Sequence, residues 1–268
     1  MKALLGDYPV TRLFKERSSL EFADVKVPHT AFKRVVRELE FDVAELALMT
    51  FLLAKAHGKP YRLLPAVVTA RFQHATLAYN PERGTLSPAE LAGKTVGMRS
   101  YSVTTATWVR GILADDYGVD LEKVHWATFE DPHVSEFRDP PNATRMPAGK
   151  DATAMLLAGE LDAAILAEPP KDGPLRPLIP DPAAAAAAWQ AKNGAIQINH
   201  MVTVKSTVSK EQERRIYDLL VESRTAAGNP EMNPFGVEEN RRNLEVAIDC
   251  TYRQRMIPRR FTVEELFR

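Results

Sequence analysis

The chain has 268 residues, 45% of them hydrophobic, which is enough to bury one large core or two modest ones without disulfide or metal staples. Thirty-five Lys and Arg balance 35 Asp and Glu, so no global field draws the protein to nucleic acid or to an anionic membrane, and charge recognition must be local. One cysteine, Cys250, excludes an intramolecular disulfide framework and every multi-cysteine zinc ribbon.

From the start, Met1-Lys2-Ala3-Leu4-Leu5-Gly6-Asp7-Tyr8 shows no apolar signal core, no small-residue cleavage site and no lipid-accepting cysteine, which predicts a cytoplasmic protein. No apolar run approaches the roughly 20 residues of a membrane helix, so no membrane insertion is expected. Phe32, Val35, Val36 and Leu39 follow Thr30 at i, i+3, i+4, i+7 spacing and predict an amphipathic helix over about 31–40. The apolar run Leu63 to Val68 predicts a strand. Ser87-Pro88-Ala89-Glu90 is a capping box with proline at the first helical position, and a strand over Lys94 to Met98 follows.

A helix opening near Ser102 runs to a Gly118 stop, and a strand covers Val124 to Thr128. Asp151 to Leu157 predicts a helix ended by Gly159, then a buried strand over Leu161 to Ala167. Six alanines behind Asp181 and Pro182 predict a helix rather than a linker. Ala195 to Lys205 is strand-like. Ser209 with Gln212 starts one helical segment, Val237 another, and Thr262 with Glu265 forms a third capping box. Alternating β-like and helical segments predict α/β architecture with mainly parallel sheets. Two lobes are expected: residues 1–79 with 196–268 as a discontinuous lobe, and 80–195 as the other. A cleft between such lobes is a common ligand site.

No single motif is diagnostic. The absence of a Walker loop, a G-x-G-x-x-G, an H-E-x-x-H and a G-x-S-x-G removes most nucleotide-driven and serine-hydrolase chemistry. What remains is a set of polar residues at strand ends and helix starts. Tyr101, Ser102, Thr104 and Thr105 lie where a strand hands over to a helix, so hydroxyls and free N–H groups there suit a carboxylate or phosphate; the same residues also serve as plain caps. Trp108, one turn on, reads as an aromatic wall or, by preference, as core. Arg71-Phe72-Gln73-His74, at the expected end of a first-lobe strand, suits anion binding by Arg71 and proton movement by His74; a surface loop is the alternative. His200 lies inside a strand pattern, where histidines are more often structural, and its case rests on a strand near Ile196 to Thr203 that is expected to cross between the lobes. Asp7 with Arg12, and Glu45 among apolar neighbours, add further strand-end groups. Asp7, Glu45, His74 and His200 furnish a divalent-metal site if folding unites them, which spacing alone does not predict. No cofactor is established by the sequence.

Taken together, Gly6-Asp7-Tyr8 with Thr11-Arg12, Glu40 to Leu46, Arg71 to His74, Leu91 to Gly97, Thr104-Thr105-Ala106, Trp108 to Leu113, Leu156 to Ala163, Ile198-Asn199-His200 and Phe235 to Arg241 resemble the 4,5-dihydroxyphthalate decarboxylase family, relatives of the type 2 periplasmic binding proteins. Asp131 to Pro147 departs from the expected pattern, keeping only Phe137-Arg138. The resemblance implies a two-lobed, type 2 periplasmic-binding-protein-like α/β fold that closes over a small anion. It implies an aromatic decarboxylase, a carbon-carbon lyase, acting on a hydroxylated aromatic carboxylic acid. In that scheme Arg12 and Arg71 hold a spectator carboxylate or phenolic oxygen. Thr104, Thr105 and the helix start behind Tyr101 take a second anionic group. His74 or His200 supplies a proton, and Glu45 or Asp7 orients it or binds a metal. The competing class is a non-catalytic binding protein for a small aromatic or aliphatic carboxylate, in an ABC-type system or as a cytoplasmic sensor; a synthase on the same fold is a third. Monomer and homodimer are equally compatible with the sequence.

Overall fold

Helices begin where a side chain satisfies the first free N–H groups and end where glycine takes a left-handed backbone. The computed structural model describes Met1–Arg268. In chain order it contains β1 (Lys2–Leu4), α1 (Pro9–Arg17), β2 (Glu21–Phe22), β3 (Val43–Ala47), α2 (Leu48–Ala56) and β4 (Tyr61–Ala70). These are followed by β5 (Leu77–Tyr79), β6 (Thr95–Met98), α3 (Thr104–Tyr117), β7 (His125–Thr128), β8 (Ala143–Arg145), α4 (Ala152–Ala158) and β9 (Ala163–Ile165). The chain ends with β10 (Arg176–Pro177), α5 (Pro182–Asn193), β11 (Ile198–Lys205), α6 (Lys210–Ala226) and α7 (Val237–Arg253). Asp151 caps α4 through the Ala154 N–H at 2.8 Å, and Asp181 caps the alanine helix α5 through the Ala184 N–H at 3.1 Å. Ser209 and Gln212 exchange bonds of 3.1 and 3.2 Å at the start of α6. Gly118 and Gly159 close α3 and α4 at φ 65° and 79°.

The chain divides into two compact units, Met1–Arg71 with Ala195–Arg268, and Phe72–Gly194. The sheet of the first has the order β2-β1-β3-β11-β4, with β1 parallel to both β2 and β3 and β11 antiparallel to β3 and β4. α1 packs on α6 and α2 on α7. Phe14, Val43, Leu64, Val68, Val202, Val204 and Leu220 form its core; full burial of such a side chain contributes about 1.5–3 kcal/mol. The sheet of the second unit has the order β10-β5-β9-β6-β7-β8, parallel from β9 to β8 and antiparallel at the β5 and β10 end. Ala78, Ala127, Met155, Leu156 and Ala164 pack within it. No helix is long and apolar enough to cross a membrane.

Two local expectations change, and one helix was not read from the sequence. The segment read as one amphipathic helix over about 31–40 is a 3-10 turn, Pro28–Ala31, followed by a wide π-helical turn, Arg34–Glu38. The bidentate pair of Arg34 with Glu40, 2.7 and 2.8 Å, spans this turn, and Leu39 between them is left-handed (φ 53°) with its N–H on the Arg34 carbonyl. Helix α2 carries no amphipathic signal because seven of its residues, Leu48 to Ala54, are all buried; a helix enclosed on every side shows no polar face to find. The strand near His74 to Tyr79, expected to cross between the lobes at the end of the 1–79 segment, is β5 and pairs with β9 and β10 in the sheet of the second unit. His74 accordingly lies on a 3-10 turn, His74–Thr76, and not at the end of a first-sheet strand.

Candidate active site

Because β11 runs antiparallel between β3 and β4, one edge of the first sheet collects the carboxyl ends of β1, β3 and β4 and the amino end of β11. Ligands of open α/β sheets bind outside the carboxyl ends of strands. Side chains alternate across a strand, so Glu45 and Ala47 share a face with their register partners Val202 and His200. Glu45 and His200 are therefore diagonal neighbours, within reach of one another.

Glu45 has 0% exposure, and three chain segments hold its carboxylate. Oε2 accepts the Gly6 N–H at 2.6 Å; Oε1 accepts the Tyr8 hydroxyl at 2.9 Å and lies 2.8 Å from His200 Nδ1. An unpaired carboxylate in this position would be penalised by several kcal/mol of lost solvation. A carboxylate only accepts, so Nδ1 donates, and Nε2 is left as the working nitrogen of the ring. Nε2 has no partner from the protein, and the His200 side chain retains 18% exposure. The edge of Phe32, with centroids 5.1 Å apart at 78°, fixes the imidazole plane.

The turn between β1 and α1 is built for this contact. Tyr8 donates its N–H to Thr11 Oγ1 at 2.9 Å, and the Thr11 hydroxyl donates to the Gly6 carbonyl at 2.7 Å. A Cβ on Gly6 would lie 2.6 Å from Tyr8 Cζ, so only glycine lets the phenol fold back onto Glu45. Burial, then the Glu45 charge and hydrogen bond, then the Asp7 charge, push the Tyr8 phenol far up, which keeps it a donor. The sequence pointed to Asp7 in this segment. Its side chain is 88% exposed and paired with Lys15 at 2.5 Å, while Tyr8, one residue on, reaches Glu45. The aromatic two residues after a strand-end glycine was the available signal.

Arg12 is exposed on α1, and Arg71 is half-buried just past β4, its N–H bonded to the Gln197 carbonyl at 3.1 Å. Thr69 of β4, which the sequence did not single out, stands opposite His200 in the ladder; its hydroxyl is buried and has no partner. The conceived metal set of Asp7, Glu45, His74 and His200 does not assemble, and no group of three or more His, Cys, Asp or Glu side chains is disposed to hold a metal ion. A cavity of about 260 Å³ in the first unit lies along β2 and the residues after it, beside Lys2, Arg34, Glu40 and Phe41, and its lining includes neither Glu45 nor His200. Its charged walls include the Arg34–Glu40 pair, already mutually satisfied.

The second unit holds the other candidates. His74 is 1% exposed, its ring 6.5 Å from that of Trp189 and 6.4 Å from that of Phe72, and neither ring nitrogen has a partner. Burial lowers its pKa to about 4, with the Asp116 charge opposing. Trp108 is 2% exposed and meets Trp189 edge-on at 5.9 Å. Tyr101 is sandwiched between Phe137, stacked at 6.4 Å, and the buried guanidinium of Arg110, 3.7 Å from its ring. Arg110 went unnoticed in the sequence because nothing there signals a wholly buried arginine. Ser102 and Thr104 are buried, Thr105 is half-buried, and Ser100 ahead of them has a buried hydroxyl without a partner.

No protein-family model matches the chain. It is 29% identical over 197 residues to a 4,5-dihydroxyphthalate decarboxylase of Comamonas testosteroni, and 31% identical over 146 residues to one of Pseudomonas putida. The chain is thus similar over part of its length to 4,5-dihydroxyphthalate decarboxylases. The two alignments take in 69% and 52% of this chain but 60% and 57% of those relatives, so the chain spans somewhat over half their length. Among solved structures, the alkanesulfonate-binding protein SsuA of Xanthomonas axonopodis pv. citri, bound to MOPS, matches 99% of this chain and 96% of its own at TM-score 0.57 and 13% identity. The periplasmic aliphatic sulphonate binding protein SsuA of Escherichia coli matches 100% of this chain and 91% of its own at TM-score 0.59 and 12% identity. The chain thus has the α/β fold of periplasmic binding proteins.

Proposed function

We propose that the protein removes carbon dioxide from a hydroxylated aromatic carboxylic acid of the 4,5-dihydroxyphthalate type, with His200 as the proton donor and Glu45 as the group that orients and charges it. The observation behind this is the buried Glu45 carboxylate bonded to His200 Nδ1 at 2.8 Å, with Nε2 left unpartnered at the carboxyl edge of the sheet. Of the two histidines only His200 has an orienting acid; His74 has none.

Aromatic decarboxylation exchanges a carboxylate for a proton on one ring carbon. The His200 imidazolium gives its Nε2 proton to the carbon that bears the carboxylate, the carbon-carbon bond breaks, and its electron pair restores the ring as carbon dioxide departs. The neutral imidazole then regains a proton from water. Glu45 stabilises the imidazolium, and Tyr8 and the Gly6 N–H hold the carboxylate in place. Arg71 and the first turn of α2, which opens at Ala47 with neither a side-chain cap nor an acid, suit the substrate's anionic groups. The Ser100–Thr105 segment offers donors of the same kind in the second unit.

A non-catalytic carboxylate-binding protein is the second reading, favoured by the fold shared with the two SsuA proteins. One assay separates them. The purified protein is incubated with a panel of hydroxylated aromatic mono- and dicarboxylates, and carbon dioxide release is followed. Release by wild type and a loss of about 10²–10⁴-fold in His200→Ala are expected. Saturable binding with no release across the panel would overturn the decarboxylase reading in favour of the second.

A further inference from the structure

We infer that Thr69 is a specificity-determining residue at this site, donating its hydroxyl to a ring oxygen of the substrate beside His200. The inference rests on the proposed aromatic-acid site and deepens it. In the antiparallel ladder of β11 with β4, His200 pairs with Thr69, and in the ladder with β3 it pairs with Ala47, two residues from Glu45. Paired residues across neighbouring strands are the ones whose side chains come within reach of each other. Thr69 is the β4 residue set against His200.

The ladder is broken at this point. The register shifts between Ile198 and His200 and again between His200 and Met201, so regular pairing gives way where Thr69 meets the histidine. Bulges of this kind re-aim side chains and are concentrated next to functional sites. The remainder of β4 is tied down on its outer edge. Asn233 Nδ2 donates to the Val67 and Val68 carbonyls at 3.1 and 2.9 Å, and the Gly236 N–H donates to the Pro65 carbonyl at 2.9 Å. The backbone that presents Thr69 is thus anchored on both sides.

The hydroxyl itself is the telling feature. Thr69 Oγ1 is buried and has no hydrogen-bond partner. Other buried threonines in this unit are satisfied: Thr203 donates to the Ala44 carbonyl at 2.9 Å, Thr251 to the Ala247 carbonyl at 2.7 Å, and Thr11 to the Gly6 carbonyl at 2.7 Å. A buried polar group without a partner is destabilising, and an incoming group that supplies the partner recovers that loss as binding free energy. Neither Glu45 oxygen is free to serve, since Gly6, Tyr8 and His200 occupy them. Two groups then remain to meet a ligand on this face, the Nε2 of His200 and the hydroxyl of Thr69. A substrate that places its carboxylate-bearing carbon against Nε2 and a ring hydroxyl, meta or para to that carbon as in 4,5-dihydroxyphthalate, against Thr69 uses both. A site built around a hydroxyl rejects the analogue that lacks the matching oxygen, because its own polar group then stays unpaired.

The test compares Thr69→Val, which keeps the shape and removes the hydroxyl, with Thr69→Ser, which keeps the hydroxyl. Affinities for 4,5-dihydroxyphthalate and for phthalate are measured by calorimetry at pH 7, with the melting temperature of each ligand-free protein and carbon dioxide release as separate readouts. Wild type and Thr69→Ser should prefer the hydroxylated acid. In Thr69→Val that preference should fall by about tenfold or more, with phthalate affinity unchanged and the ligand-free melting temperature equal to or above that of wild type. A melting temperature that drops while the preference survives would assign Thr69 a purely structural role and overturn the inference. Binding preference without carbon dioxide release would leave Thr69 in place and remove only decarboxylation. Absence of binding of either acid to wild type would overturn the inference outright.

Discussion

At the carboxyl edge of the first sheet the buried Glu45 carboxylate has a partner for each oxygen, whereas in the second unit His74 is 1% exposed and neither of its ring nitrogens has one. Ser100, ahead of α3, shares the condition of His74. The contrast separates two uses of burial. A fully paired network is rigid and sets tautomer and orientation before substrate arrives. Unpaired polar groups cost the ligand-free fold stability and are held there by the packing around them. Thr69 stands as an unpaired group at the border of the paired network, which is why a ligand role follows for it.

The largest expected effect breaks the paired side. Glu45→Ala strands the Gly6 N–H, the Tyr8 hydroxyl and the His200 ring together, and should lower stability by about 3 kcal/mol or more, since each buried group left without a partner costs about 1–3 kcal/mol. Urea denaturation measures it, and a loss below 1 kcal/mol would mean that the network is dispensable. Glu45→Gln keeps the shape and should retain more stability while carbon dioxide release falls. Next comes Gly6→Ala, whose Cβ meets the Tyr8 ring at 2.6 Å. Forcing the phenol away should destabilise by about 1–3 kcal/mol and reduce activity with it; unchanged melting would show that Tyr8 relocates freely.

The unpaired side is probed by pH. Burial depresses the folded pKa of His74 to about 4, below its unfolded value. The unfolded chain therefore takes up a proton first as pH falls. The stability involved is fully present above about pH 6.5 and is lost progressively from there down through pH 4. His74→Phe should flatten this acid limb, so that the melting temperature falls by about 3 °C less than in wild type between pH 7 and pH 4.5. Parallel curves for the two proteins would refute burial as the source. The smallest effect is expected for Ser100→Ala, whose hydroxyl bonds to nothing: stability should stay within about 0.5 kcal/mol of wild type or rise slightly. A drop of 2 kcal/mol or more would reveal a partner for Ser100.

Much of the fold was legible because its signals are local. Asp151, Asp181 and Ser209 cap the helices they announce, and Gly118 and Gly159 end theirs, since a cap needs only residues three or four apart. Helix α2 was invisible for the opposite reason, its apolar residues facing protein on every side. The turn over Arg34–Glu38 was misread as an α-helical stripe because the pair with Glu40, which spans it, is a side-chain contact that periodicity does not report.

At the site, the residue types were readable and their company was not. Glu45, His200 and the Gly6–Tyr8 turn each stood out at a strand end, but the sequence weighed Asp7 above Tyr8, set His74 ahead of His200 and passed over Thr69. Only the strand order decides these matters, because β1 and β11 flank β3 and so join segments 39 and 155 residues from Glu45 in one carboxylate network. Composition, caps and the resemblance to decarboxylases are properties of the chain as a string. Which histidine has an acid behind it, and which hydroxyl is left without a partner, depend on strand order and register, where a shift of one residue turns a side chain to the other face.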